Sequence, residues 1–190
     1  MNILIKALMV YVLFILSSVA QATEFEGVSF PDKVTLGGSK VPLQLNGVGF
    51  RTKFIFDVYI GALYTKEKVN SRDAAQALKG PNRIHMHFVY SEVSKEKLVD
   101  GWNDGFEGNN SYETLKALSQ RIDKFNAMFS TVVAGDVVLL DYVPGKGTTV
   151  TIKGVEKGVV EGDDFNAALL DIWLGSEPAD DDLKDAMLGL

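Results

Sequence analysis

Arg51 follows two glycines and precedes a long apolar run. Leu45-Asn-Gly-Val-Gly-Phe-Arg51 leads directly into Thr52-Lys-Phe-Ile-Phe-Asp-Val-Tyr59-Ile-Gly-Ala-Leu-Tyr64. A guanidinium keeps its charge at any ordinary pH, so beside an apolar interior it needs an anionic or hydrogen-bonding partner. That partner can come from the protein or from a ligand, and the sequence leaves both open.

The only two histidines, His85 and His87, alternate with apolar residues and so share one strand face. Their spacing could place two ligands on a metal, but no third ligand is signalled, and two polar residues on a half-exposed strand need no special reason. The chain has no cysteine, which removes thiol catalysis and cysteine-based metal sites. Gly47-Val-Gly-Phe-Arg-Thr52 lacks the third glycine of a dinucleotide loop. Gly145-Lys-Gly147 lacks the upstream glycine and the Ser/Thr of a phosphate loop. No Gly-x-Ser-x-Gly elbow occurs.

The elements that must carry Arg51 follow from periodicity. Residues 25–65 read as strands, punctuated at Gly37-Gly38 and at the turn-prone stretch 46–49, with Gly47 and Gly49 marking a bulge or a close backbone approach. Alternation through 54–61 predicts one apolar face (Phe54, Phe56, Val58, Ile60) and one mixed face (Ile55, Asp57, Tyr59, Gly61). Ser71 starts a short helix that Gly80 follows, and residues 83–90 form another strand. Ser94 caps a helix whose Leu98, Trp102 and Phe106 form a ridge beside Gly101 and Gly105. Each of those glycines costs about 1 kcal/mol relative to alanine, so something approaches that groove closely, either packed structure or a ligand. A helix to about Phe129 carries Leu115, Leu118, Ile122 and Phe125 toward the core. Residues 136–153 form a hairpin around Pro144-Gly-Lys-Gly147, a strand covers 155–160, and Asp163 caps a helix bearing Phe165, Leu169 and Trp173. The acidic run Asp180-Asp-Asp182 suits the positive end of a last helix to Leu188 better than it suits a metal. The whole is an α+β domain, a largely antiparallel sheet with helices on one side.

At the amino end, Lys6, the apolar stretch 7–16 and Ser17-Ser-Val-Ala20-Gln-Ala22 have the order of a secretory signal cleaved after Ala22. The competing reading is a retained anchor, for which the apolar core is short against the roughly 20 residues of a span. This predicts residues 1–22 as signal peptide and 23–190 as one exported, periplasmic domain, with no membrane span after signal removal. Loss of Lys6 makes the net charge one unit more negative than the −6 of the whole chain. Nucleic acid and anionic membrane surfaces are therefore poor candidates for the main partner.

The stretch from Gly47 to Tyr64 resembles the glycine-arginine and following strand of the chalcone isomerase superfamily. Asp164-Phe-Asn-Ala-Ala-Leu-Leu-Asp-Ile-Trp-Leu-Gly175-Ser-Glu-Pro178, with Leu183-Lys184 and Leu188-Gly189, resembles its carboxyl-terminal helices. The likeness is greatest to the bacterial exported branch, the chalcone isomerase-like proteins. It implies an open-faced β-sandwich: a large antiparallel sheet covered by helices, with a cleft between, and no cofactor. The family includes isomerases that close a chalcone to a flavanone, and non-catalytic fatty-acid binding proteins.

In the isomerases the arginine matching Arg51 stabilises developing enolate charge. The companion threonine, tyrosine and asparagine fall near Val58, Ser94 and Gly101, which weakens that use. In the fatty-acid binding members the matching arginine and a tyrosine hold the ligand carboxylate, and Arg51 and Tyr59 look like that pair. The competing reading pairs Arg51 with Asp57 and leaves Tyr59 to pack. The resemblance thus implies a non-catalytic periplasmic protein binding a small amphipathic carboxylate such as a fatty acid. Its alternatives are a cofactor-free intramolecular lyase or isomerase using Arg51 as electrostatic catalyst, and an interaction module with a collapsed cleft.

Overall fold

The computed structural model describes residues 21–190; the signal reading falls almost wholly on residues 1–20, outside them. Three short strands, β1 (Ala22–Phe25), β2 (Val28–Pro31) and β3 (Lys33–Thr35), precede the long pair β4 (Pro42–Lys53) and β5 (Phe56–Thr65). Next come helix α1 (Arg72–Ala77), strand β6 (Asn82–Phe88) and the two-residue strand β7 (Glu92–Val93). Helices α2 (Lys95–Asn109) and α3 (Tyr112–Ala127) lead to β8 (Val132–Val133) and the meander β9 (Val137–Val143), β10 (Gly147–Ile152) and β11 (Val155–Val160). Helices α4 (Asp163–Leu174) and α5 (Asp181–Leu188) close the chain. Among the described residues no helix is long and apolar enough to cross a membrane.

Seven strands form one antiparallel sheet in the order β11-β10-β9-β6-β5-β4-β3. Because side chains alternate across a strand, the sheet has two apolar faces. One bears Tyr59, Leu63, Ile84, Met86 and Phe88 and packs under the helices with Trp102, Phe106, Phe125, Phe165 and Trp173. The other bears Ile60, Ala62 and Tyr64 and is covered by Phe30 and Leu36 from the amino-terminal segment. The expected α+β sandwich is therefore present, with a smaller second cover.

Helix α4 is the keystone of the main layer. From Phe165 to Leu174 eight of its ten residues are apolar or alanine and nearly all are buried, so its two polar positions must be satisfied. Asp171, 4 % exposed, takes both arms of Arg72 at 2.7 and 2.8 Å, tying α1 to α4. Asp163 does not cap the helix as expected. Gly162, at φ 105°, occupies the cap, and the Asp163 carboxylate instead accepts from Tyr142 at 2.6 Å.

Both histidines lie on the sheet face away from the helices, as the alternation implied. His85 sits 5.0 Å from the Phe30 ring, and its Nε2 finds no hydrogen-bond partner among the described residues. Burial, with lesser repulsion from Arg83 and His87, lowers its pKa to about 4. The unfolded chain then binds more protons between about pH 6.5 and 4, so the stability contributed by neutral His85 is present above pH 6.5 and lost as pH falls through 4. The loss is up to about 3 kcal/mol. Urea melts of the wild type and His85→Gln across this range should show the steeper decline in the wild type; parallel declines would refute the assignment.

Candidate functional site

A cleft of about 390 Å³ opens between the helical layer and one end of the sheet. Its floor comes from Arg51, Val58, Tyr59 and Phe88, its roof from Leu98, Gly101 and Trp102 of α2, and its inner wall from Ile172 and Ala179. Phe54, Phe56 and Tyr90 stand at the rim. The size suits a small molecule and the lining is mostly apolar, with Lys53, Glu92, Lys97, Asp100 and Asp104 adding charge around it.

The floor departs from the sequence expectation at two places. The run after Arg51 is not a single alternating strand: it turns at Phe54-Ile55, so Lys53 pairs with Phe56 and Arg51 lies directly across from Tyr59. Residues 46–49, expected to turn, lie inside β4 instead, with a register shift between Leu45 and Gly47. A second shift follows Arg51, where Thr52 pairs with Asp57 and Val58 becomes the extra residue. Such a bulge re-aims side chains. Here Val58 joins Tyr59 along the cleft, and its carbonyl accepts from Val89 and Tyr90. A two-residue turn leaves no trace in binary pattern when both its residues are apolar, as Phe54 and Ile55 are.

The two expected site residues are brought together. The Arg51 Cζ lies 6.0 Å from the centre of the Tyr59 ring, a cation over an aromatic face. Among the described residues Arg51 makes no ion pair and no side-chain hydrogen bond. Asp57, the internal candidate, is exposed and accepts from the Thr52 hydroxyl at 2.8 Å. The carboxylate that reaches this strand is Asp180, which caps α5 through Leu183 N–H at 2.9 Å and accepts the Thr52 N–H at 2.8 Å. That contact fixes the backbone beside Arg51.

Tyr59 is only 4 % exposed. Its hydroxyl accepts from the Trp173 indole N–H at 2.8 Å. Burial raises its pKa, outweighing the opposing pull of Arg51 and of the Trp173 bond, so the phenol stays neutral and retains its proton to donate. The sequence reading put Trp173 on a helix and gave no sign of this role, since residues 59 and 173 meet only through the tertiary fold. It put Trp102 on the α2 ridge, beside a groove open to either packed structure or a ligand. Trp102 borders the cleft, and its buried indole N–H has no partner among the described residues.

The two glycines of α2 serve different ends. A Cβ on Gly105 would lie 2.8 Å from Ile172, so this glycine lets α2 approach α4. A Cβ on Gly101 would meet nothing within 4 Å, and this glycine faces the open cleft. Ser94 is occupied as the α2 cap, accepting from Lys97 N–H at 3.3 Å. Tyr64 lies on the opposite sheet face with its pKa raised to about 12 by burial, so it cannot supplement the cleft.

Comparison with known proteins agrees with this architecture. The profile of the chalcone isomerase-like family matches residues 22–189. The crystal structure of a fatty-acid binding protein of Arabidopsis thaliana superposes with a TM-score of 0.64 at 19% identity, covering 88% of this chain and 96% of the plant one. No curated protein sequence matches the chain.

Proposed function

The chain belongs to the chalcone isomerase-like family, and from that premise we propose that it is a non-catalytic, exported, periplasmic binding protein for a small amphipathic acid such as a fatty acid. The carboxylate sits on the Arg51 guanidinium and the Tyr59 hydroxyl, and the tail lies along Val58, Phe88, Leu98 and Ile172. The observation that carries this reading is a guanidinium that forms no ion pair among the described residues, even with Glu92, Asp100 and Asp104 in the same lining, beside a neutral phenol that already accepts from Trp173, on the floor of an open, mostly apolar cleft. An anion is the partner that such a cation lacks. The name of the Arabidopsis protein of like fold supports the ligand class.

An isomerase using Arg51 to stabilise an enolate is less well supported. Val58 and Gly101 line the cleft without offering a hydrogen-bonding side chain, and Ser94 is committed to its helix. A module with a collapsed cleft is also disfavoured by the open space over Tyr59.

Native mass spectrometry of protein purified from its own periplasm tests the binding reading. A bound acid is expected in the wild type and lost in Arg51→Ala, with affinity lowered about 10- to 100-fold, as for one charge-assisted hydrogen bond. Stability should change by no more than about 1 kcal/mol, because no protein partner is stranded. Consistently empty wild-type protein, or undiminished loading of the variant, would refute the reading. Turnover of a hydroxylated chalcone that Arg51→Ala abolishes would promote the isomerase instead.

A further inference from the structure

The β4–β5 turn breaks two rules at once. Two-residue hairpin loops with a positive φ at their first position favour glycine, yet Phe54 occupies that position at φ 60°. The turn is also the most exposed apolar feature among the described residues: Phe54 is 90%, Ile55 84% and Phe56 52% exposed. Phe56 leans edge-on against Tyr90 at 5.6 Å, leaving Phe54 and Ile55 to project. A soluble turn would carry polar residues here, so a strained aromatic tip points to an apolar surrounding that the isolated molecule lacks.

Its setting says which surrounding. Lys53 and the exposed Asp57 flank the tip on either side and Arg51 lies three residues before Phe54, so both charge signs sit at the depth where zwitterionic phospholipid headgroups would meet a tip whose apolar residues enter the acyl boundary. Phe54 and Phe56 are also the rim of the cleft, so the apolar tip is continuous with the apolar site. We propose that the Phe54-Ile55-Phe56 turn docks into a phospholipid bilayer, placing the mouth of the cleft at the membrane surface where an amphipathic acid enters or leaves. Entry of the acid rests on the binding reading above, whereas docking itself needs only the turn. The acidic whole-chain charge is compatible, because insertion of a tip draws on apolar area rather than on broad electrostatic adsorption.

The absence of cysteine makes the test specific to this turn, whatever the amino terminus does. The full chain carrying Ile55→Cys, labelled with an environment-sensitive dye, is mixed with phosphatidylcholine vesicles without fatty acid. A matching Lys146→Cys label on the exposed β9–β10 turn, at the other end of the sheet, serves as the reference. A blue shift at position 55 and none at 146 is expected. In the Phe54→Ser background the vesicle concentration for half the shift should rise about tenfold. No shift at 55, or equal shifts at both positions, would overturn the proposal. A shift that follows protein concentration without vesicles would also overturn it, assigning the tip to a second copy. Because no acid is present, failure here leaves the cleft reading standing, and an empty cleft leaves docking standing.

Discussion

Replacement of Gly101 by leucine is expected to abolish ligand binding while leaving the fold at least as stable as before. Gly101 lies inside α2, where glycine costs about 1 kcal/mol relative to alanine. Beyond its chain neighbours and its own helix backbone, no atom lies within 4 Å of the Cβ it lacks, so tight packing against the rest of the fold does not require the glycine. The space it keeps open is the cleft roof, next to Leu98 and Trp102. Leucine would recover helix propensity and fill volume that the acid tail needs. Affinity for a long-chain acid should fall at least about 100-fold, near 2.7 kcal/mol, with the melting temperature unchanged or raised. Alanine at the same position should stabilise the helix and leave binding nearly intact. Calorimetric titration beside thermal melts separates the two effects, and wild-type affinity in Gly101→Leu would mean that the tail lies elsewhere.

The opposite outcome is expected at Gly47, where alanine should cost about 3 kcal/mol or more, at the upper end of overpacking effects. Its Cβ would fall 1.9 Å from the Ala186 carbonyl oxygen and 2.9 Å from that of Met187, both backbone atoms that no rotamer change can move. Helix α5 would have to retreat. It would loosen the Asn46 amide bond to Met187 O at 2.7 Å and the Asp180 contact that holds Thr52 beside Arg51. Gly49 supplies the comparison, since its added Cβ would meet the Ala186 side chain at 2.5 Å. Denaturant melts should therefore show Ala186→Gly restoring stability to Gly49→Ala and not to Gly47→Ala. Equal rescue of both would contradict the backbone clash.

The contrast among these glycines shows where sequence reasoning reaches. The approach at Gly47 and Gly49 and the importance of the α2 groove were readable, because glycine inside a regular element has a cost that demands a cause. Which cause applied at Gly101 and which at Gly105 depended on α4, which comes roughly 70 residues later in the chain. Periodicity likewise placed Leu98, Trp102 and Phe106 on one buried ridge, and Ser71, Ser94 and Ser111 each cap a helix in the structure. The all-apolar turn at Phe54-Ile55 was invisible, since turn signals rest on glycine, asparagine and proline, and none is present. Pairs such as Arg72 with Asp171 and Arg83 with Asp141, or Trp173 with Tyr59, join residues 58 to 114 positions apart. Composition supplies the partners in such cases, and only the fold chooses among them.

The hydrogen bond from Trp173 to Tyr59 has a consequence beyond recognition. The chain contains two tryptophans. One donates to the phenol on the cleft floor, the other lines the cleft roof, and their rings are 5.8 Å apart. All the indole emission of the unlabelled protein thus originates at a single locus, close enough for the two chromophores to couple. Whatever enters that space changes the quantum yield and the near-ultraviolet dichroism together, so the molecule carries its own optical gauge of occupancy.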